Sequence, residues 1–275
     1  MPSSSRPEPG GLDPARLLRL LPAGRRLATE VEVVARCAST SDLARERLAG
    51  GDLADGTLIL AEAQEAGRGR RTRDWWSGPP RSNLALTLDL RVAAAEAPVL
   101  GLLGALALLD AMAAWPDMRA RTALKWPNDL LLDGAKVAGF LGEAVTAPDG
   151  GEHLLLGVGI NLNQAPPEGT APYPTTALAD CAGSVAVDRT LFLAAWLWRF
   201  EAAWRRLRLA GPGAFEANFL AALRRWAPHG VRESADGPAG PLLEFSLAEG
   251  LHWGSEGDSI RRPLGWLTAL ESLDP

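Results

Sequence analysis

The chain has 275 residues, 47% of them apolar and 22% charged, enough to bury a full-sized core with room for a small second module. Its net charge of −5 and pI near 5.4 argue against broad electrostatic attraction to nucleic acid or an anionic membrane, so any cationic site must be local. Cys37 and Cys181 lie far apart without CxxC spacing and no signal-peptide pattern opens the chain, which predicts a reducing cytoplasm and leaves a disulfide open.

Pro2 to Pro14 is rich in Ser, Pro and Gly, so residues 1–24 are expected to be a disordered tail with at most a short element at Leu17 to Leu21. Ser39-Thr40-Ser41-Asp42 offers N-cap residues for a helix over Leu43 to Leu48, which Gly50-Gly51 stops. Thr57 to Leu60 reads as a buried strand. Leu84, Leu86, Leu88 and Leu90 alternate with Ala85, Thr87 and Asp89, the period-two pattern of a half-buried strand. Ala97 to Leu109 is the most apolar stretch and is too short to span a bilayer; it predicts a buried helix.

Further on, Thr122 to Trp126 and Asp129 to Leu132 are short extended runs, and Asp133-Gly134 is a hairpin dipeptide leading into a strand over Lys136 to Val145. His153 to Asn161 is another strand. Asp188 can cap a helix over Thr190 to Leu209, which Gly211-Pro212-Gly213 separates from a helix over Ala214 to Trp226. Trp196, Trp198 and Trp204 are read as core and rim packing rather than a base-stacking platform. After Pro228 the composition turns to Gly, Pro and short alternating runs. The fold class is therefore α+β, a mostly antiparallel mixed sheet packed by helices, over residues 25–226, with a small β domain over 227–275.

Two features carry chemistry. Between strands runs Gly67-Arg68-Gly69-Arg70-Arg71-Thr72-Arg73-Asp74-Trp75-Trp76, with four arginines within six residues. Glycine permits close backbone approach and guanidinium groups grip phosphate or carboxylate, so the loop suits a polyanion. A solvated basic turn and an RGG-like nucleic-acid contact are the competing readings. Either tryptophan could stack on a purine or point into the core. The second feature is that only two of the 28 basic residues are lysines, Lys125 and Lys136, and both fall within one short strand–turn–strand segment. A chain that otherwise uses arginine keeps ammonium groups there, compact charges that fit a narrow pocket.

Gly67-Arg68-Gly69-Arg70-Arg71 with Trp75, Lys125-Trp126-Pro127-Asn128-Asp129, Lys136-Val137-Ala138-Gly139 and Gly157-Val158-Gly159-Ile160-Asn161-Leu162-Asn163 occur in the order of the biotin–protein ligase family, which the chain resembles from about Ser39 to Asn163. The resemblance implies a ligase-like catalytic domain with an SH3-like C-terminal module. It implies activation of biotin with ATP and Mg²⁺ to biotinyl-5′-adenylate, then transfer to a lysine of a biotin carboxyl carrier protein. Lipoate–protein ligase or octanoyltransferase activity on the same fold is the alternative.

By that resemblance Ser39, Thr40, Ser41 and Gln64 line the biotin pocket, and Arg68, Gly69 and Arg70 close over biotin and the phosphates. Trp75 packs near adenine, Asn128 and Asn161 lie with the nucleotide, and Lys136 contacts the reacting carboxylate and phosphate. Lys136, Arg68, Lys125 and Asp129 form the expected catalytic set. Asp129 can orient or deprotonate the incoming amine, bind metal, or cap the turn after Pro127. No metal ligands are assigned. Ser41 stands where the family commonly has asparagine, and Phe140 where an aliphatic residue is usual. Only 38 residues precede Ser39, too few for the helix-turn-helix of the family's repressors, so neither DNA nor membrane is expected as a partner. The expected assembly is a monomer or homodimer.

Overall fold

The computed structural model describes residues 10–70, 73–93, 96–183, 185–264, 267 and 269–274. Part of the segment expected as a tail to residue 24 is folded. Asp13 caps helix α1 (Pro14–Leu20) by accepting from the Arg16 N–H at 2.8 Å, and Leu17 is buried against the core. Two apolar anchors, Leu17 and Leu21, on a capped turn outweigh the surrounding Pro and Gly.

Seven strands form the main sheet in the order β1-β2-β3-β7-β6-β5-β4. They are β1 (Val31–Val34), β2 (Leu58–Ala61), β3 (Leu84–Arg91), β4 (Thr122–Lys125), β5 (Asp129–Leu132), β6 (Ala135–Thr146) and β7 (Glu152–Ile160). The first two are parallel, joined through α2 (Thr40–Gly50); the other neighbours are antiparallel. The sheet is thus mixed and mostly antiparallel. Asp133 and Gly134 both have positive φ, 51° and 78°, as the tight β5–β6 hairpin requires. Val31–Val34, short and bracketed by charge, was not anticipated.

The Leu84–Leu90 alternation is correct in period but not in exposure. Every residue from Leu84 to Leu90 is buried. The leucines belong to the buried cluster that includes α3 (Ala97–Met112) and α6 (Arg189–Ala210), while Ala85, Thr87 and Asp89 alternate to the other face of the strand, where Thr87 meets Thr40 of α2. Polar residues are tolerated on that covered face because each finds a partner: Thr87 Oγ1 donates to Thr40 Oγ1 at 2.9 Å, and Asp89 meets His153 Nδ1 at 2.9 Å.

Two one-turn helices, α4 (Met118–Arg121) and α5 (Leu178–Cys181), fill connections. Asp188 caps α6 through the Leu191 N–H at 2.9 Å. Of the three tryptophans of α6, Trp196 and Trp204 are in the core and Trp198 is 55% exposed. Helix α7 (Gly213–Trp226) carries the C-terminal module, which consists of β8 (Val231–Arg232), β9 (Ala239–Gly240), β10 (Leu242–Ser246), β11 (Gly250–Ser255), β12 (Asp258–Arg262) and β13 (Glu271–Ser272). These form two three-stranded sheets, β10-β11-β12 and β13-β8-β9. Phe219 of α7 and Phe245 of β10 pack as a tilted pair with centroids 5.0 Å apart, merging the module's apolar face with the main core. Of the C-terminal run, Gly265, Trp266 and Thr268 lie outside the described residues. No described helix is long and apolar enough to cross a membrane, and both cysteines are free thiols.

Candidate active site

A cleft with about 250 Å³ of open space lies on the α2 face of the sheet, over β6 and β7. Its floor is low because the strands there carry glycine. A Cβ on Gly159 would stand 2.2 Å from Trp75 Cε2, and one on Gly157 would stand 2.7 Å from Ser41 Oγ. Both distances are far inside van der Waals contact, so the indole and the serine can rest on the backbone only where side chains are missing.

At one end, Ser39 is the N-cap of α2 and brings Thr40 and Ser41 to the wall. Gln64 Oε1 accepts from the Thr40 N–H at 2.8 Å and the Thr40 hydroxyl at 3.1 Å, while Gln64 Nε2 donates to Ser77 Oγ at 2.9 Å. The Thr87 hydroxyl donates to Thr40 Oγ1, and Ser41 Oγ lies 3.1 Å from Thr87 Oγ1. Each hydroxyl has one proton, and those of Thr40 and Thr87 are already engaged. Ser41 is therefore the donor in its contact with Thr87, and its oxygen lone pairs remain for a ligand N–H. Thr87 supports this wall from behind without lining the cleft; a polar residue in an apolar alternating strand is a signal of such a satisfied position.

The arginine loop folds back as a hairpin: the Trp75 N–H donates to Gly67 C=O at 2.8 Å and the Gly69 N–H to Arg73 C=O at 2.7 Å. This lays Arg68, Gly69, Arg70, Arg73, Asp74 and Trp75 along the cleft, whereas Trp76 is not part of its wall. Arg71 and Thr72 lie outside the described residues. Arg68 pairs with Asp42 at 2.6 Å and approaches Glu143 at 3.7 Å, and Arg45 bridges the same two carboxylates. These pairs are 24–44% exposed, so each contributes little alone and a ligand anion can compete for Arg68.

At the other end, Lys125, Trp126, Pro127, Asn128 and Asp129 form the β4–β5 connection. Asn128 Nδ2 donates to Phe140 C=O at 2.6 Å and the Phe140 N–H to Asn128 C=O at 3.0 Å, which locks that turn to β6. Lys136 Nζ is 2.7 Å from Asp129 Oδ1 and its side chain is 13% exposed. The Trp75 and Tyr173 ring centroids lie 5.5 and 5.2 Å from that ammonium. Tyr173 carried no motif and was not anticipated. Trp126 Nε1 donates to Leu267 C=O at 2.8 Å, and Ala269 and Leu270 join the wall, so the C-terminal module reaches the cleft.

Twelve of the thirteen residues expected at the site therefore converge on one cleft: Ser39, Thr40, Ser41, Gln64, Arg68, Gly69, Arg70, Trp75, Lys125, Asn128, Asp129 and Lys136. Asn161 does not. It is 2% exposed and follows the last residue of β7, where its N–H donates to Val137 C=O at 2.8 Å and its C=O accepts from the Leu178 N–H at 3.0 Å. Asn83 Oδ1 accepts the N–H groups of Leu162, Asn163 and Gln164, pulling the chain away from the cleft. Among the described residues no group of three His, Cys, Asp or Glu side chains could hold a metal ion.

Residues 33–161 match the model of the biotin/lipoate A/B protein ligase family. A biotin–[acetyl-CoA-carboxylase] ligase of Mycobacterium tuberculosis is 39% identical over 192 residues, covering 66% of this chain and 67% of that one. The chain belongs to the biotin–protein ligase family. A second ligase of that description, from Paracoccus denitrificans, is 41% identical over 145 residues, 51% of this chain and 60% of the relative. The biotin protein ligase of Aquifex aeolicus, solved in complex with biotin and ATP, superposes with a TM-score of 0.70 at 25% identity, covering 89% of this ligase-family chain and 99% of the other.

Proposed function

We propose that this ligase activates biotin with ATP to biotinyl-5′-adenylate and transfers the biotinyl group to a lysine of the carrier domain of a biotin-dependent carboxylase. The observation that carries the reading is the two-ended cleft of a family member: a hydroxyl and amide pocket at one end, and guanidinium, ammonium and carboxylate groups at the other. The ureido ring of biotin offers two N–H donors and one carbonyl, which match the free acceptor side of Ser41 and the polar cluster of Ser39, Thr40 and Gln64.

A biotin carboxylate oxygen attacks the α-phosphorus and pyrophosphate leaves with the electrons of the broken P–O bond. Two unit charges about 4 Å apart repel by roughly 4 kcal/mol at an effective dielectric near 20, so cations must be in place beforehand. Lys136, Arg68, Arg70 and Lys125 supply them, and Trp75 gives the adenine a face to pack against. The mixed anhydride is open to hydrolysis, and the arginine hairpin excludes water from it. The carrier amine then attacks the biotinyl carbonyl and AMP leaves. Asp129 holds Lys136 in place and, as a carboxylate lining the cleft, would take the amine's proton. Mg²⁺ would be held chiefly by the nucleotide phosphates, with Asp74 and Asp129 the carboxylates that line the cleft, as suits an ion that keeps its waters and takes few protein ligands; it would neutralise phosphate charge.

The test is pyrophosphate release from folded protein with ATP, Mg²⁺ and either biotin or lipoate. Release with biotin and not with lipoate is expected, followed by label transfer to a carrier domain. Release with lipoate alone would move the assignment to the other branch of the family.

A further inference from the structure

Tyr173 is the chain's one tyrosine. It lies between β7 and α5, where the Lys136 N–H donates to Pro174 C=O at 2.9 Å and the Thr176 N–H donates to Lys136 C=O at 3.0 Å. These bonds lay the segment alongside Lys136 as a short parallel bridge. Pro172 and Pro174 flank the tyrosine with fixed φ. The backbone of this segment thus fixes where the ring stands beside Lys136. The ammonium lies over two aromatic rings, Tyr173 at 5.2 Å and Trp75 at 5.5 Å, with Asp129 Oδ1 at 2.7 Å. A second groove runs along β4, and it shares Lys125, Asp129, Lys136, Tyr173 and Leu270 with the first cleft.

We infer that Tyr173 is a positioning residue: with Trp75 it clamps the Lys136 ammonium, paired to Asp129, at the junction of the two clefts. The inference rests on the reading of Lys136 as the cation that meets the reacting carboxylate and phosphate. A lysine ammonium ends a flexible four-carbon stem and, unlike a guanidinium, has no fork to set its direction. A carboxylate alone fixes its distance but not its bearing. Two ring faces within about 6 Å, each attracting the cation through its quadrupole, restrict the bearing as well. The ammonium then waits where charge develops instead of being recruited during the step.

The experiment is biotin-dependent ATP–pyrophosphate exchange by the full chain, with kcat and KM measured separately. Tyr173→Phe keeps the ring face and is expected to stay within about twofold of the wild type. Tyr173→Leu is expected to lower kcat by about 3- to 30-fold, the range of one cation–π contact, with KM for biotin and ATP within about twofold. Replacing Tyr173 by phenylalanine carrying one, two and three ring fluorines preserves shape while draining the ring face, and kcat should fall stepwise along that series. A purely structural ring would leave the series flat. A flat series, or a loss in Tyr173→Phe as large as in Tyr173→Leu, overturns the inference. If Tyr173→Leu fails to fold, the fluorinated series still decides. Absence of biotin-dependent exchange in the wild type overturns the functional reading and this inference with it, whereas a flat series on an active wild type overturns this inference alone.

Discussion

Replacing Gly159 by alanine tests the floor of the cleft. The new methyl would lie 2.2 Å from Trp75 Cε2 and 2.5 Å from Cζ2 and Nε1, against an ordinary carbon contact of about 3.5–4 Å. The strand cannot give way, because Gly159 is paired on one side with Ala85 and on the other with Gly139 in the middle of the sheet. The indole must retreat by about 1.5 Å to reach ordinary contact, which disturbs the ring that now lies 5.5 Å from the Lys136 ammonium. A displacement of about 1 Å in a positioned group lowers rate by up to about 100-fold, so Gly159→Ala should reduce kcat/KM for adenylate formation by about 10- to 100-fold. Overpacking costs about 1–3 kcal/mol and should lower the melting temperature by several degrees. Biotin-dependent pyrophosphate exchange and a thermal melt followed by circular dichroism read the two effects. Adding Trp75→Ala removes the clash, so the melting temperature should recover while exchange stays low. Wild-type exchange and an unchanged melt in Gly159→Ala would refute the contact between Trp75 and β7.

Lys136→Ala should lower adenylate formation by about 100- to 1000-fold, the loss typical of one preorganised donor, with the far-ultraviolet spectrum unchanged because the bonds joining β6 to the Tyr173 segment are made by the Lys136 backbone; single-turnover pyrophosphate release measures it. Arg68→Ala should hasten escape of biotinyl-adenylate into solution, followed by trapping the nucleotide after rapid filtration, and unchanged escape would show that the hairpin does not retain the intermediate. Burial pushes the Asp89 carboxyl up to about 6, partly opposed by its bond to His153. The folded state then binds this proton more tightly than the unfolded chain does, so this group's contribution to stability is full below about pH 4 and is lost as pH rises through about 6. Asp89→Asn should flatten the stability profile over that window, and denaturant titrations at a series of pH values would detect it.

Much of this architecture was legible because its causes are local. The cap at Asp188, the glycine stop at Gly50-Gly51 and the Asp133-Gly134 turn act within a few residues, and the helices and hairpin fall where those signals put them. The short β1 escaped because four residues carry too little period to read. Within 1–24 the short element allowed at Leu17 to Leu21 is a docked helix, since two buried leucines leave little mark on composition.

The sequence by itself determined which groups are available: two lysines in one hairpin, an arginine hairpin jointed by glycine, and glycines in the strand that became β7. Through the order of its motifs it also pointed to thirteen site residues, twelve of which line one cleft. Tertiary structure alone decided that Thr87 faces the hydroxyl chain and is covered by α2, that Asn161 turns into the interior, and that Tyr173 stands over Lys136. Those outcomes depend on which strands neighbour one another across the sheet and on loops pinned by distant partners such as Asn83 and Pro174. Side-chain periodicity reports the direction a residue points relative to its own element, whereas what it meets there is set by chain segments tens of residues away.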